Sequence, residues 1–337
     1  MSNVTRARFA LGTAAAFASV GIARFPANAA EYPLKYANNL PLTHPMNVRA
    51  QEAADKIKSE SGGRVEITIF PNNALGGDGS MLTQVRAGAI AFYTNSGLNL
   101  SALTQACGIN CIGFAFPTYK DVWTAMDGDL GAHVRGALEG VGLYAFDKMW
   151  DNGFREITTS TGPINGPKDL SGFKIRVPVS PLSTSLFKAL DASPVGIDFS
   201  NVYTSLQTKL VSGQENPLVV IETVKLYEVQ KYCSLTNHIW DGFWFLAHGE
   251  TWNKLPKNLQ EIVARNIDAA AEKDRNDVKS LNTSLASKLK SQGLAMNAPA
   301  TGPFRDALAR AGYYKDWKKT FGDTGWAALE KYTGKLG

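Results

Sequence analysis

The sequence has little of what catalysis or metal binding would require. No two of its four histidines have a metal-ligand spacing, and no Gly-x-Ser-x-Gly motif accompanies them, which argues against a zinc site and a hydrolase triad. Gly140-Val141-Gly142 precedes a predicted strand rather than following one, and no third glycine completes a dinucleotide fingerprint. We therefore expect no catalytic residues, no metal and no cofactor.

Cysteine is scarce, with three residues in a chain of 337. Cys107 and Cys111 are close enough in sequence to form a local disulfide in an oxidising compartment, whereas Cys233 has no obvious partner. A Cys-x3-Cys pair without a nearby histidine or second cysteine pair is a weak zinc signal. A local disulfide or two buried thiols is the better interpretation.

The chain also lacks a concentration of charge of one sign. Its formal net charge is +5, and without Arg6, Arg8 and Arg24 of the amino-terminal region it is +2. Basic residues are interspersed with acidic ones, whereas a protein that binds a phosphate backbone needs them on one face or stripe. Nucleic acid is therefore excluded as an expected partner.

Residues 1–30 have the composition of an export signal. Arg6 and Arg8 precede an apolar run over residues 9–23, and no acidic residue occurs before Glu31. This run is shorter than the ~20 residues that a membrane span needs, and no later stretch is long and uncharged enough. We expect cleavage near Ala29 or Ala30 and a periplasmic protein that does not itself span the membrane. Only one arginine of a twin-arginine signal is present, which favours the general secretory route.

The hydrophobic pattern is that of an α/β chain. Short strands with alternating or apolar residues are separated by segments of helical period, and residues 259–292 lack both proline and glycine, which predicts one long helix. No internal repeat or low-complexity linker marks a domain boundary. Strands are predicted over residues 34–37, 65–69, 89–93, 142–146, 155–159, 173–177 and 195–197, and further helices over residues 46–57, 81–86, 181–190 and 201–211, the last capped by Ser200.

One strand and one loop motif together suit an organic carboxylate. Arg176 lies in a strand whose β-branched neighbours fix the backbone, and Asn216 lies in the motif Gly-Gln-Glu-Asn-Pro at 213–217. The planar guanidinium matches a carboxylate with two parallel hydrogen bonds and stays charged at any physiological pH. The alternative interpretation is a surface or salt-bridged arginine.

Polar residues at two other places are typical of loops beside a ligand. Thr94, Asn95 and Ser96 follow the strand predicted over residues 89–93, and open α/β sheets place ligands at the carboxyl ends of their strands. The run Gly-Gly-Asp-Gly at 76–79 lacks the Lys-Ser/Thr of a nucleotide loop, so it predicts the start of a helix.

Eight motifs in sequence order resemble one protein family. The chain is identified as a member of the periplasmic solute-binding proteins of tripartite ATP-independent periplasmic (TRAP) transporters, of the dicarboxylate-receptor (DctP) type, and the resemblance covers nearly the whole chain after the leader. The motifs are SGGRV at 61–65, FP at 70–71 with LG at 75–76, Arg155, KIRVP at 174–178, VYTSLQ at 202–207, GQENP at 213–217, YEVQKY at 227–232 and TNH at 236–238.

The resemblance implies a two-lobed binding-protein fold with an interlobe cleft and a long helix spanning both lobes. Lobe I is expected to comprise residues 31–153 and 241–280, and lobe II residues 154–240 and 281–337. By resemblance Arg176 holds the ligand carboxylate, Asn216 donates to the same end and Arg155 gives a second positive contact. The resemblance to sialic-acid receptors adds Asn39, Asp78, Asn95, Ser96, Val179 and Phe199.

These residues predict an extracytoplasmic receptor that delivers a small organic acid to TRAP membrane subunits without catalysis. Val179 and Phe199 are apolar, and three aromatic residues lie near matched positions, so we expect an aromatic or apolar monocarboxylate such as a 2-oxo or 2-hydroxy acid. A C4-dicarboxylate or sugar acid is the alternative ligand, and a periplasmic enzyme acting on organic acids is the alternative class. The three aromatic residues are Trp150, Phe154 and Phe243.

Overall fold

The computed structural model describes residues 30–337, and its strands form one mixed sheet. The strand order is β2-β1-β3-β10-β5-β8-β6-β7, with β4 paired to β10, β9 to β5 and β11 to β9. The strands are β1 (Tyr32–Ala37), β2 (Val65–Phe70), β3 (Phe92–Ser96), β4 (Leu143–Ala145), β5 (Trp150–Thr159), β6 (Lys174–Val177), β7 (Ser193–Gly196), β8 (Gly213–Pro217), β9 (Tyr232–Ser234), β10 (Trp240–His248) and β11 (Ala295–Asn297).

Helices connect most of these strands and cover the sheet, as the α/β pattern predicts. Short 3₁₀ helices occur at Gln105–Cys111, Pro167–Leu170, Phe199–Asn201 and Leu226–Glu228. The α-helices are α1 (Pro45–Glu60), α2 (Asp78–Arg86), α3 (Gly97–Leu100), α4 (Tyr119–Met126), α5 (Asp129–Glu139), α6 (Pro181–Ala189), α7 (Val202–Gln207), α8 (Leu218–Thr223), α9 (Gly249–Lys254), α10 (Lys257–Ser291), α11 (Gly302–Arg310) and α12 (Tyr313–Thr333).

Helix α1 shows how the local sequence sets an element and its ends. Its apolar residues, spaced three or four apart, are buried, including Met46 and Ile57. The helix ends at Glu60 with Ser61 as its C-cap, after which Gly62 and Gly63 take left-handed conformations with φ of 64° and 81°. Glycine adopts such angles without the steric cost that a Cβ would impose.

Strand β5 joins the two halves of the sheet. Its first half pairs antiparallel with β10, where Trp150 lies opposite Phe243, and its second half pairs with β8 and β9. Helix α10 also crosses both halves, since its 35 residues pack against α1, β5 and α8. The long helix predicted over residues 259–292 is confirmed.

Three predicted elements differ most in their bounds. Strand β3 runs over 92–96 rather than 89–93, because residues 92–96 are the ones that pair with β10. Strand β5 begins at Trp150 rather than 155 for the same reason. Helix α7 ends at Gln207, before Lys209 with φ of 59°, and Ser200 does not cap it.

Strand β10 and the two carboxyl-terminal helices α11 and α12 were not predicted. The β10 segment is a continuous apolar run, and a short buried strand cannot be told from a buried helix by periodicity alone. Helix α12 packs against α4, α5 and the 3₁₀ helix Gln105–Cys111.

Cys107 and Cys111 are separate thiols in the 3₁₀ helix Gln105–Cys111, and both are buried. Burial raises the pKa of Cys107 to about 12. The structure thus agrees with two buried thiols and not with a local disulfide.

The export signal predicted for residues 1–30 lies outside the described residues, apart from Ala30. Among the helices within residues 30–337, none combines the length and the apolar character needed to cross a membrane.

Two buried carboxyl groups meet where β5 passes α10. The backbone N–H of Asp151 donates to the Asp274 carboxylate at 2.9 Å, and the Trp240 indole donates to Asp151 at 3.0 Å. Burial raises the pKa of Asp151 to about 7 and raises the pKa of Asp274 well above its ordinary value. Asp151 is therefore mostly protonated below about pH 7, where an unburied aspartate is ionised.

We expect this arrangement to make the protein less stable as the pH rises from about 4 through 7. Folded Asp151 keeps its proton over this range, while the unfolded chain releases it near pH ~4, and the loss is at most about 1.4 kcal/mol per pH unit. Asp151→Asn does not titrate, so its melting temperature should depend less on pH between 5 and 8. Asp147→Asn, at an exposed position, is the control and should follow the wild type. Parallel curves for Asp151→Asn and the wild type would contradict the prediction.

Candidate functional site

A narrow cavity lies between the two parts of the sheet, and most of its lining is polar. Its residues come from the loop after β1, from β3, β5, β8 and β10, from β6 and the residue that follows it, from α2, α3 and α8, and from the 3₁₀ helix Phe199–Asn201. The lining residues are Asn39, Leu40, Asp78, Ser96, Asn99, Asn152, Arg155, Arg176, Pro178, Phe199, Asn216, Val220, Asp241 and Phe243.

Arg176 presents a buried guanidinium with unused donors to this cavity. Arg176 is 2% exposed, and its Nε donates to the Ile197 carbonyl at 2.9 Å. Within residues 30–337 the guanidinium makes no other hydrogen bond and no salt bridge with a carboxylate. Burial lowers the pKa of Arg176 to about 10, so the group is charged at neutral pH. A buried cation without a carboxylate partner is costly, and a bound anion would offset that cost.

Arg155 lies beside the same cavity, but its charge is already balanced. Its Nε and Nη2 bind the Glu215 carboxylate, the Nη2 contact measuring 2.8 Å, while Nη1 binds the Asp241 carboxylate. His238 lies 3.0 Å from the same Glu215 carboxylate. Although burial alone would raise the pKa of Glu215, Arg155 and then His238 lower it to about 2. Arg155 is therefore the centre of a buried ion network.

The wall opposite Arg176 is built around the carboxyl group of Asp78. Three amide side chains donate to it, those of Asn39 at 2.8 Å, Asn95 at 2.9 Å and Asn99 at 3.1 Å. Burial, followed by the nearby Asp198 carboxylate, raises the pKa of Asp78 to about 6. These bonds fix the amide orientations and leave the buried Oδ1 of Asn39 without a partner among the described residues.

Asn216 and Ser96 are held by neighbours inside the protein. The Asn216 amide donates to Gln214 at 2.6 Å and accepts from Arg155 at 3.2 Å, and the Ser96 hydroxyl donates to Asp241. Both residues line the cavity with their orientation set in advance. Such preorganisation lowers the entropy that a ligand must overcome on binding.

The structure brings most of the predicted site residues to the cavity. They are Arg176, Arg155, Asn216, Asn39, Asp78, Ser96, Phe199 and Phe243.

Four predicted residues do not line the cavity. Asn95 lies behind Asp78 and donates to it, and Val179 is 56% exposed beside the lining residue Pro178. Trp150 is buried against Phe245, with ring centroids 5.7 Å apart, and Phe154 packs edge-on against Tyr119 at 5.0 Å. Large aromatic rings gain more free energy from such packing than from a polar cavity.

Three polar lining residues were missed from the sequence. Asp241 is a charge within the apolar run of β10, and a buried charge in such a run signals a paired partner. Asn99 lies four residues after Asn95, so that the two amides face the same carboxylate. Asn152 lies at an inner position of β5 and donates to Asp241 at 3.2 Å.

The chemistry of this cavity is that of anion binding. Within residues 30–337 no group of three or more histidine, cysteine, aspartate or glutamate side chains is arranged to hold a metal ion. The cavity offers one free guanidinium, a set of oriented amides and hydroxyls, and carboxylates that already accept hydrogen bonds. The expected second positive contact from Arg155 is already taken up by Glu215 and Asp241.

Comparison with known families and proteins gives a consistent result. Residues 36–320 match the family model described as DctP, bacterial extracellular solute-binding protein, family 7. The sialic acid-binding periplasmic protein SiaP of Vibrio cholerae is 32% identical over 275 residues, covering 81% of this chain and 84% of that protein. Protein y4mM of Sinorhizobium fredii is 35% identical over 78% of this chain, which spans about half (48%) of its length.

Solved structures with bound acids have the same fold. The sugar acid binding protein DctPAm of Advenella mimigardefordensis, in complex with galactonate, has a TM-score of 0.86 at 27% identity and covers 90% of this chain and 98% of its own. A TRAP periplasmic solute binding protein from Sulfurospirillum deleyianum, with bound succinate, has a TM-score of 0.85 at 27% identity, with 91% and 99% covered. The expected two-lobed α/β fold is thereby confirmed.

The two arginines should respond oppositely to substitution. Arg155→Met leaves Glu215 and Asp241 buried without their cation, so we expect a loss of about 3–5 kcal/mol in the free energy of unfolding. Arg176→Met removes a buried charge that has no carboxylate partner, so stability should be unchanged or higher. Urea unfolding of the ligand-free proteins measures both effects. Equal destabilisation by the two variants would contradict the assigned roles.

Proposed function

The chain belongs to the bacterial extracellular solute-binding proteins of family 7, and on this premise we propose which ligand it takes and how it holds it. As a member of this family it is a TRAP-type receptor for small organic acids and not an enzyme. We further propose which residues contact the ligand, where the lobes divide, and in which compartment and with which membrane partners the protein acts.

The unpaired guanidinium of Arg176 is the observation that carries the proposal. We assign it the ligand carboxylate, which binds the two free ends of the fork, while Asn216 and Ser96 line the same cavity. Charge-assisted, two-pronged bonds of this kind are roughly twice as strong as neutral hydrogen bonds. Arg155 keeps its internal partners and contributes to the wall rather than to a second carboxylate.

The ligand is a hydroxylated monocarboxylate of the sugar-acid class. Asn39 offers an acceptor without a donor, and Asp78 offers a carboxyl group, so the wall opposite Arg176 suits hydroxyl hydrogens. A second carboxylate would meet Asp78 and Asp241 without a free cation. DctPAm was solved with galactonate, which belongs to this class.

The expected preference for an aromatic or apolar acid is not confirmed. Of the three aromatic residues on which it rested, only Phe243 reaches the cavity. The remaining apolar lining is Leu40, Pro178, Phe199 and Val220, set among nine polar residues. An aryl group would desolvate those polar side chains without offering them partners.

Lobe closure completes the binding mode. We keep the division between 153 and 154, which lies one residue before the point where β5 changes its partner from β10, at Phe154, to β8, at Arg155. Residues 31–153 and 241–280 form lobe I, and residues 154–240 and 281–337 form lobe II. Helix α12 then packs from lobe II onto α4 and α5 of lobe I. A ligand that touches both lobes favours the closed state.

Export to the periplasm and delivery to TRAP membrane subunits follow from family membership. Relatives such as SiaP of Vibrio cholerae are named periplasmic proteins. The leader composition of residues 1–30 agrees with that compartment.

We expect galactonate to bind more tightly than succinate or phenylglyoxylate in isothermal titration calorimetry. Galactonate pairs with both the guanidinium and the opposite polar wall, whereas the other two acids pair with the guanidinium alone. Arg176→Met should weaken galactonate binding by about 3–5 kcal/mol, because the carboxylate would be buried without its partner. Arg176→Lys should restore little, since an ammonium lacks the planar fork.

Asn39→Leu tests the polar wall independently of the guanidinium of Arg176. It should weaken galactonate while leaving succinate nearly unchanged, because only the hydroxylated acid uses the amide acceptor. Val48→Ala, at an exposed position of α1, is the control and should bind all three acids as the wild type does. Tighter binding of succinate by the wild type would favour the dicarboxylate alternative, and tighter binding of phenylglyoxylate would favour the apolar acid.

A further inference from the structure

A carboxylate from one side of the cavity reaches the backbone of a helix on the other side. Asp198 follows β7, the last strand of the sheet, and its Oδ2 accepts from the backbone N–H of Asp78 at 2.9 Å. Asp78 is the first residue of α2, which precedes β3 near the opposite end of the strand order. The bond therefore joins two parts of the chain that are far apart in the sheet.

The segment that carries Asp198 is fixed at both of its ends. The other carboxylate oxygen of Asp198, Oδ1, accepts hydrogen bonds from the backbone N–H of Ser200 at 3.0 Å and from the Ser200 hydroxyl at 2.8 Å. The preceding Ile197 carbonyl accepts from Arg176, and the following Phe199 lines the cavity. One short segment thus contacts the proposed carboxylate receptor on one side and α2 on the other.

Gly77 makes this approach possible. A Cβ built on Gly77 would lie 2.7 Å from Oδ2 and 2.8 Å from Oδ1 of Asp198, which is closer than real Cβ contacts. The backbone of Gly77 is extended, with φ of −68°, so another residue type would adopt it without strain. The contact with Asp198, and not the local conformation, is what requires glycine here.

We propose that Asp198 and the backbone N–H of Asp78 form an interlobe latch that holds the lobes closed over the ligand. Asp198 is a positioning residue: it touches no ligand atom in this scheme and acts by keeping Arg176 and Asp78 on facing walls. The carboxylate is also well placed at the amino terminus of α2, where the helix dipole favours negative charge. This inference rests on the proposed function for its two-lobed clamp.

The test compares two glycines of the same helix start. Gly77→Ala places a methyl group against Asp198, whereas Gly79→Ala meets nothing within 4 Å. We expect Gly77→Ala to speed galactonate dissociation about tenfold in stopped-flow measurements, as the loss of one hydrogen bond to a charged group implies. The association rate should change less than twofold, because galactonate enters the open form, in which the latch is not made. Gly79→Ala should match the wild type in both rates.

A double-mutant cycle with Asp198→Ala shows whether the effect passes through the carboxylate. Asp198→Ala alone should speed dissociation by a similar factor, and Gly77→Ala should add nothing in that background. Any of three results would overturn the latch. Gly77→Ala has the same effect with and without Asp198, the two glycine variants have equal effects, or the dissociation rate is unchanged.

Solution scattering of the ligand-free proteins separates the latch from the proposed ligand. Gly77→Ala should have a larger radius of gyration than Gly79→Ala if the latch favours closure, and equal values would overturn it. If wild-type protein fails to bind galactonate, the ligand proposal fails, while this scattering comparison still decides the latch.

Discussion

The buried pairing of Arg155 with Glu215 and Asp241 is the constraint on which the rest of this structure depends. It ties together β5, β8 and β10, the three strands at the centre of the sheet. Burying three charges is costly unless each has its partners, and here the guanidinium has donors directed at both carboxylates. The network therefore fixes the strand positions at the floor of the cavity.

Arg176, the second buried arginine of the cavity, differs from Arg155 in its partners. Arg155 and Arg176 lie on strands that both pair with β8, and both are buried, yet only Arg155 has acidic partners. The same side chain stabilises the fold when its charge is matched internally, and we propose that it binds the ligand when it is not. Burial makes the difference large, because unmatched charge is far more costly there than at the surface.

Local sequence patterns predicted the elements whose extent is set by neighbouring residues in the sequence. The absence of proline and glycine predicted α10, and the glycines after Ser61 predicted the end of α1. The strand context of Arg176 predicted an oriented guanidinium suited to a carboxylate, with a surface or salt-bridged arginine as the alternative. The role of Arg155 was not predictable in this way, because Glu215 and Asp241 lie 60 and 86 residues away in sequence. Likewise the apolar run of β10 has no period that distinguishes strand from helix.

Strand β5 and helix α10 each belong to both halves of the molecule, and this affects how the fold is lost. If one half melted, the other would lose a paired strand and the packing of a long helix at the same time. The two halves are thereby coupled in free energy, whereas a flexible tether between two separate domains would leave them independent. We therefore expect the two halves to unfold in one cooperative transition, even if they move as two bodies when the ligand binds.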